Sequence, residues 1–153
     1  MKVLLQRVSW AKITVNDKIS GKIGPGLCVF LGVISEDTKE DISWLVKKVI
    51  NLRIFEDENN KMNRSLLDEN GEMLIVSQFT LCGNCSKGRR PSWIGAAEPT
   101  FAEKMYKYFI EEASKYGIKI ATGVFQAHMQ VEICNDGPVT LMIDSKERKK
   151  NED

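Results

Sequence analysis

Residues 73–81 read MLIVSQFTL, an apolar run that turns abruptly polar at Ser77-Gln78. A short apolar run of this kind suits a central strand covered on both faces. Hydroxyls and an amide at the end of such a strand need partners or a task. On its N-terminal side, residues 56–70 are polar, with turn signals at Asn59-Asn60 and Asn70-Gly71. On its C-terminal side, residues 82–97 show little periodicity and read as a loop.

Working outward, strands dominate the first third. Val3-Leu4-Leu5 opens one, and residues 11–15 alternate as a half-buried strand should. Asn16-Asp17 marks a turn, residues 18–23 return as a hairpin arm, and residues 27–34 (LCVFLGVI) form a second continuous apolar run. A helix follows, capped at Asp37 or Thr38, with Asp41 in capping-box spacing from Thr38. Its stripe is Ile42, Leu45, Val46, Val49 and Ile50. Arg53-Ile54-Phe55 begins another extended segment. A second helix starts near Pro99, carries Phe101, Met105, Tyr108, Phe109 and Glu112, and stops at Gly117. Three strands close the chain, at residues 118–122, 129–134 and 139–143, with a tight turn between the last two. This order predicts a mixed α/β fold in which both helices cover one face of a curved sheet. The domain spans residues 1–145, and residues 146–153 form a charged, frayed tail.

The apolar share is 42% and the charged share 28%, as in ordinary globular proteins. A net charge of +1 argues against a surface that tracks a nucleic-acid duplex, and no DNA partner is expected. It leaves room for a local basic patch that grips one end of an RNA. The opening run holds Lys2, Gln6 and Arg7 and lacks the apolar centre of a secretory leader. No run approaches the ~18 apolar residues of a membrane span. The expected location is the cytoplasm, where Cys28, Cys82, Cys85 and Cys134 remain free thiols.

The only histidine, His128, reads as a surface or edge residue, which disfavours Ser-His or Cys-His catalysis. Cys82 and Cys85 have CxxC spacing, but a zinc site lacks its remaining ligands. A redox dithiol would lack the helix N-terminus that lowers a thiol pKa. Neither residues 21–26 nor residues 83–89 match a phosphate loop. No metal or cofactor is implied. Residues 87–93 (KGRRPSW) set Lys87, Arg89 and Arg90 beside Trp93. That composition suits phosphate contacts and base stacking at a single-stranded RNA end, or simply a solvated loop. In residues 135–140 (NDGPVT), Gly137-Pro138 lies between strands, where a cis bond costs only about 0.5–1 kcal/mol.

The segments MKVLLQRV (1–8), SQFTL (77–81), KGRRPSW (87–93), FQAHMQV (125–131) and NDGPVT (135–140) together resemble the D-aminoacyl-tRNA deacylase family. The resemblance covers essentially the whole chain. It implies a three-layer β/β/α sandwich with curved, barrel-like mixed sheets, two main helices and a homodimer. It implies hydrolysis of the ester of D-aminoacyl-tRNA, with action also on glycine mischarged onto tRNA(Ala). By the same resemblance Ser77, Gln78, Phe79 and Thr80 form the catalytic pocket for the aminoacyl-adenosine end. Met129 and Asn135 would flank the substrate, and Lys87, Arg89, Arg90 and Trp93 would hold the acceptor end. Gly137-Pro138 would be a Gly-cisPro corner that reaches into the partner's site and rejects L-amino acids. Gln126 stands where a glycine would be unsurprising. The SQFT sequence favours the D-specific branch over a related branch that edits L-alanine. Two rival readings remain: a non-catalytic RNA-end binding module, and a thiol oxidoreductase built on Cys82 and Cys85.

Overall fold

The computed structural model describes residues 1–150. Its strands are β1 (Lys2–Val15), β2 (Lys18–Ile23), β3 (Gly26–Gly32), β4 (Phe55–Glu56), β5 (Met62–Arg64), β6 (Glu72–Ser77), β7 (Ile120–Thr122) and β8 (Gln130–Asp144). The helices are α1 (Lys39–Asn51), α2 (Pro99–Ser114) and the short α3 (Lys146–Lys150), with a 3-10 turn at Phe79–Cys82. The main sheet runs β2-β1-β3-β6-β7, and β8 lies along the other edge of β1. β3, β6 and β7 are parallel neighbours, and the other pairings of this sheet are antiparallel. The carbonyl oxygen of Thr122 sits 2.6 Å from where a Cβ on Gly21 would be. The sheet's two ends therefore approach each other, and it curls into a nearly closed barrel. β4 and β5 form a separate small hairpin.

Strand alternation sorts the apolar side chains into two cores. On β3 and β6, Leu27, Val29, Leu31, Met73 and Ile75 face α1 and α2, whereas Cys28, Leu74 and Val76 face the barrel interior. β1 contributes to both. Val3 and Leu5 lie in the helix-side core, and Val8, Ala11 and Ile13 in the barrel core. Alternation alone would put Val3, Leu5, Ala11 and Ile13 on one face. The pairing with β8 slips between Gln6 and Val8 and again between Val8 and Trp10, and these irregularities accompany the change of side. One strand results where the sequence pattern predicts two. Helices, sheet and far barrel wall make up the expected α/β fold, a β/β/α sandwich.

α1 follows its sequence pattern closely. All five stripe residues are buried, and Thr38 and Asp41 form the reciprocal capping box. Burial pushes the Asp41 carboxyl up, but hydrogen bonds from the N–H and hydroxyl of Thr38 outweigh it and hold the group below its ordinary value. The folded state therefore gains stability from this carboxylate above the unfolded value near ~3.9 and loses it as pH falls through the lower folded value. Thr38→Ala should cost about 1 kcal/mol in urea unfolding at neutral pH, and the deficit should shrink in acid.

On α2 the buried positions are Ala102, Met105, Tyr106, Phe109 and Ala113. Tyr108 instead lies at the surface edge, where the Lys39 ammonium sits 4.2 Å from its ring centre. Tyr106 donates a 2.7 Å hydrogen bond to the carbonyl of Ile75, tying α2 to β6.

Three further segments differ from the sequence reading. The apolar run at 73–81 ends as a strand at Ser77; the Gln78 N–H makes a last bond to the Leu31 carbonyl of β3 at 2.8 Å, and the chain then coils into the 3-10 turn. The two last strands are one, because residues 135–138 bulge within β8 instead of turning. The expected tail begins with order. Ser145 is fully buried, its Oγ accepts from the Met1 amino group at 2.8 Å, and residues 146–150 form α3. The Met1 amino group also pairs with the buried Asp37 carboxylate. Residues 151–153 of the expected tail lie outside the described residues. Among the described residues, no helix is long and apolar enough to cross a membrane.

Candidate active site

The carboxyl ends of the parallel strands β3 and β6 open into a cavity of about 570 Å³. In α/β folds, open or closed, ligands bind beyond the carboxyl ends of the parallel strands. The volume lies within the ~300–1,000 Å³ usual for small-molecule sites. Its floor is apolar, from Leu31, Val33 and Val76, and its polar side is Ser77-Gln78. The segment from Phe125 to Val131 supplies the opposite wall.

Of the residues expected at the site, Ser77, Gln78, Phe79 and Met129 line this cavity. Thr80 is exposed just beyond it, and the Gln78 side-chain amide donates to its hydroxyl. An amide cannot take the proton of a nucleophilic hydroxyl, so this contact positions Thr80 without activating it. Gln78 precedes the 3-10 turn without capping it by a side-chain hydrogen bond. The amides of Phe79 and Thr80 begin that turn, where N–H groups have no acceptor inside the helix.

Asn135, Gly137 and Pro138 do not line the cavity. They build an exposed corner in β8, and the Gly137-Pro138 bond is cis. Asn135 spans the corner: its Oδ1 accepts from the Val139 N–H at 3.1 Å, and its Nδ2 donates to Thr140 Oγ1 at 2.9 Å. Beneath lies Arg7, only 5% exposed. Its Nη1 donates to the Ile54 carbonyl at 2.6 Å, and its Nε lies 3.3 Å from the Asp136 carbonyl and 3.2 Å from the Asp136 carboxylate. Gly137 has φ +119°, and a Cβ there would lie 2.9 Å from Arg7 Nη2. Arg7 and the corner are thus fitted to each other.

Lys87, Arg89 and Arg90 are exposed on the loop that follows the 3-10 turn, and Trp93 meets Phe79 edge-on, with ring centres 5.3 Å apart. Sequence reasoning missed two polar cavity residues. His128 lines the cavity although exposed, and Gln126 does so with φ +63°, a left-handed conformation costly for a side-chain-bearing residue. It also missed Arg7, although Val3, Leu5 and Arg7 share a strand face and a cation on an otherwise apolar face is a legible signal. The two buried thiols do not fit redox chemistry. Cys82 is buried and donates to the Val33 carbonyl, and burial pushes its pKa up. Burial likewise pushes Cys28 up to about 12. Nucleophilic thiols need the opposite shift.

A family model described as D-Tyr-tRNA(Tyr) deacylase matches residues 4–144. The chain belongs to that family. As a member it is a hydrolase acting on D-aminoacyl-tRNA, and its catalytic class follows from that membership. A relative from Thermosipho africanus, named D-aminoacyl-tRNA deacylase, is 58% identical to this deacylase over 95% of the chain and 98% of its own length. One of the same name from Clostridioides difficile is 51% identical, with 95% and 97% covered. Among solved structures, the c-Myc DNA Unwinding Element Binding Protein is 42% identical, with a TM-score of 0.89 over 94% of this chain and 98% of that one. A probable eukaryotic D-amino acid tRNA deacylase, at 21% identity and a TM-score of 0.83 over the same shares, corroborates the deacylase fold.

Proposed function

We propose that this deacylase works as a cytoplasmic homodimer in translation quality control, removing D-amino acids and glycine mischarged onto tRNA. The observation that carries the proposal is a mismatch of place. The pocket residues Ser77, Gln78 and Phe79 line the cavity, while the corner at Gly137-Pro138 is held firmly in the open, away from it. A second copy related by two-fold symmetry would bring each corner to the other's cavity. β8 presents Leu141 and Met142 to solvent, as a strand awaiting cover would.

In the cavity the ester of an aminoacyl-adenosine end lies against the strand end at Ser77. Water adds to the ester carbonyl, the substrate's own 2′-hydroxyl assists, and the N–H groups of Phe79 and Thr80 stabilise the developing oxyanion. The bond to the ribose oxygen then breaks, and that oxygen leaves with a proton. Positioning does most of the work, since an aminoacyl ester is already reactive. Thr80 lines the path without attacking. Thr80→Ala should keep kcat within about tenfold of wild type, and complete loss of turnover in a folded variant would make Thr80 the nucleophile.

Selection works by exclusion. With the corner's carbonyls facing the substrate Cα, an L side chain collides and a D side chain points outward. Glycine has nothing to exclude. A deacylation assay should release D-tyrosine and glycine from tRNA while leaving L-tyrosyl-tRNA intact. Rejection of glycyl-tRNA at high enzyme concentration would rule out the steric scheme. Binding of tRNA without release of D-tyrosine would favour the non-catalytic RNA-end module.

A further inference from the structure

Among the described residues, polar side chains line the cavity at two places. Ser77 and Gln78 stand at and just past the end of β6, and Gln126 and His128 stand on the opposite wall. The first pair lies where the ester reacts. The second has no part in that chemistry, and Gln126 is held there against its backbone preference. The Ala127 N–H donates to the Val124 carbonyl at 3.1 Å, closing a turn over residues 124–127. Gln126 is the third residue of that turn, with φ +63°. A positive φ at this position favours glycine or asparagine and disfavours a longer side chain. The Gln126 side chain is exposed, and among the described residues its amide has no hydrogen-bond partner. The turn itself is firmly placed. The Phe125 ring lies 6.0 Å from that of Tyr106, and the Gly123 N–H reaches the Ile75 carbonyl at 3.4 Å. Gln126 therefore projects from a fixed backbone at the cavity wall, and strain that no internal contact offsets points to a ligand.

In the deacylase scheme the ester lies at Ser77 and a D side chain points out to solvent, so the nucleoside fills the cavity. A purine has apolar faces, which suit Val33, Val76 and Phe125, and a polar edge, which needs partners of its own. Adenine sets its 6-amino donor beside a ring-nitrogen acceptor. A glutamine carboxamide sets an acceptor beside a donor in one plane, which is the complementary pair. His128, with its two ring nitrogens apart, cannot match both at once.

We infer that the Gln126 amide reads the 6-amino edge of the terminal adenine, which makes this residue a specificity determinant for the base. The inference rests on the deacylase reading for the orientation of the substrate. It gives Gln126 a role in binding, apart from the chemistry at the ester.

The test uses the full-length protein and two esters, 3′-D-tyrosyl-adenosine and its purine riboside counterpart, which lacks the 6-amino group. Wild type should favour the adenosine ester about fivefold in kcat/KM, the effect of one exchanged hydrogen bond. Gln126→Met keeps the volume and the strained backbone but loses the amide, whereas Gln126→Gly removes side chain and strain together. Both variants should lose the preference, with the change in KM and not in kcat. Gln126→Gly should melt no lower than wild type, since glycine adopts φ +63° freely. A preference that survives in both variants, or a Gln126→Gly protein that melts well below wild type, would overturn the inference. So would a changed ratio of D-tyrosyl to D-alanyl ester cleavage with the base preference intact, because Gln126 would then face the amino acid. Should wild type cleave neither ester, the deacylase reading fails, and calorimetric titration with free adenosine and purine riboside decides the base site. Tighter binding of adenosine, lost in Gln126→Met, would uphold it, and equal binding would overturn it.

Discussion

Gly137→Ala is expected to destabilise the fold by roughly 2–5 kcal/mol and to lower kcat/KM for D-tyrosyl-tRNA by at least about a hundredfold. The cause lies in two features of the corner. At φ +119° the backbone occupies a region that side-chain-bearing residues rarely adopt, and strain of that kind costs ~1–3 kcal/mol. The added methyl would also sit 2.9 Å from Arg7 Nη2 and 3.1 Å from Val139 Cγ2. Arg7 cannot retreat easily, because its guanidinium is buried and tied to Ile54 and Asp136. The corner must move instead. Urea unfolding reads the first effect and single-turnover deacylation the second. A variant with wild-type stability would show that the corner accommodates a methyl and that its fit to Arg7 is loose.

Arg7→Leu should cost ~2–4 kcal/mol, with a parallel loss of activity. The leucine fills part of the space but leaves the carbonyl of the buried Ile54 without its 2.6 Å donor, a penalty of ~1–3 kcal/mol. Asp136, about half exposed, returns to solvent at little cost, so the larger figure for a fully buried ion pair does not apply. Arg7→Lys should recover only part of the loss, because an ammonium cannot serve Ile54 and Asp136 from one planar fork. The two substitutions should also be non-additive. Once the guanidinium is gone, the Gly137→Ala methyl loses its nearest clash, and the double variant should fall short of the summed penalties by about 1 kcal/mol or more. Strict additivity would place the effects of Arg7 elsewhere than at the corner.

What the sequence made legible depended on range. The α1 stripe and its Thr38–Asp41 cap are local, and each could be read from its own turn of helix. The pocket strand was recognisable from the clash between MLIV and SQ, although its end at Ser77 was not, because the 3-10 turn is not visible in that composition. Residues 135–138 carry ordinary turn chemistry. Arg7, from the opposite end of the chain, the Asn135 side chain and the pairing with β1 on either side keep them inside one strand as a bulge. The Phe79–Trp93 pair and the position of His128 in the cavity are likewise products of tertiary placement. The SQFTL and NDGPVT segments carried the resemblance to the family, while the 3-10 turn after the one and the bulge within the other stayed hidden.

β1 ties the molecule's two apolar clusters into one. It pairs with β3 along its first half, β2 along its second and β8 through most of its length, while feeding side chains to both interiors. Neither cluster can come apart without stripping hydrogen-bond partners from the strand that the other is built on. Loss of structure is therefore expected as a single cooperative transition, with urea curves read by tryptophan emission and by far-ultraviolet circular dichroism coinciding.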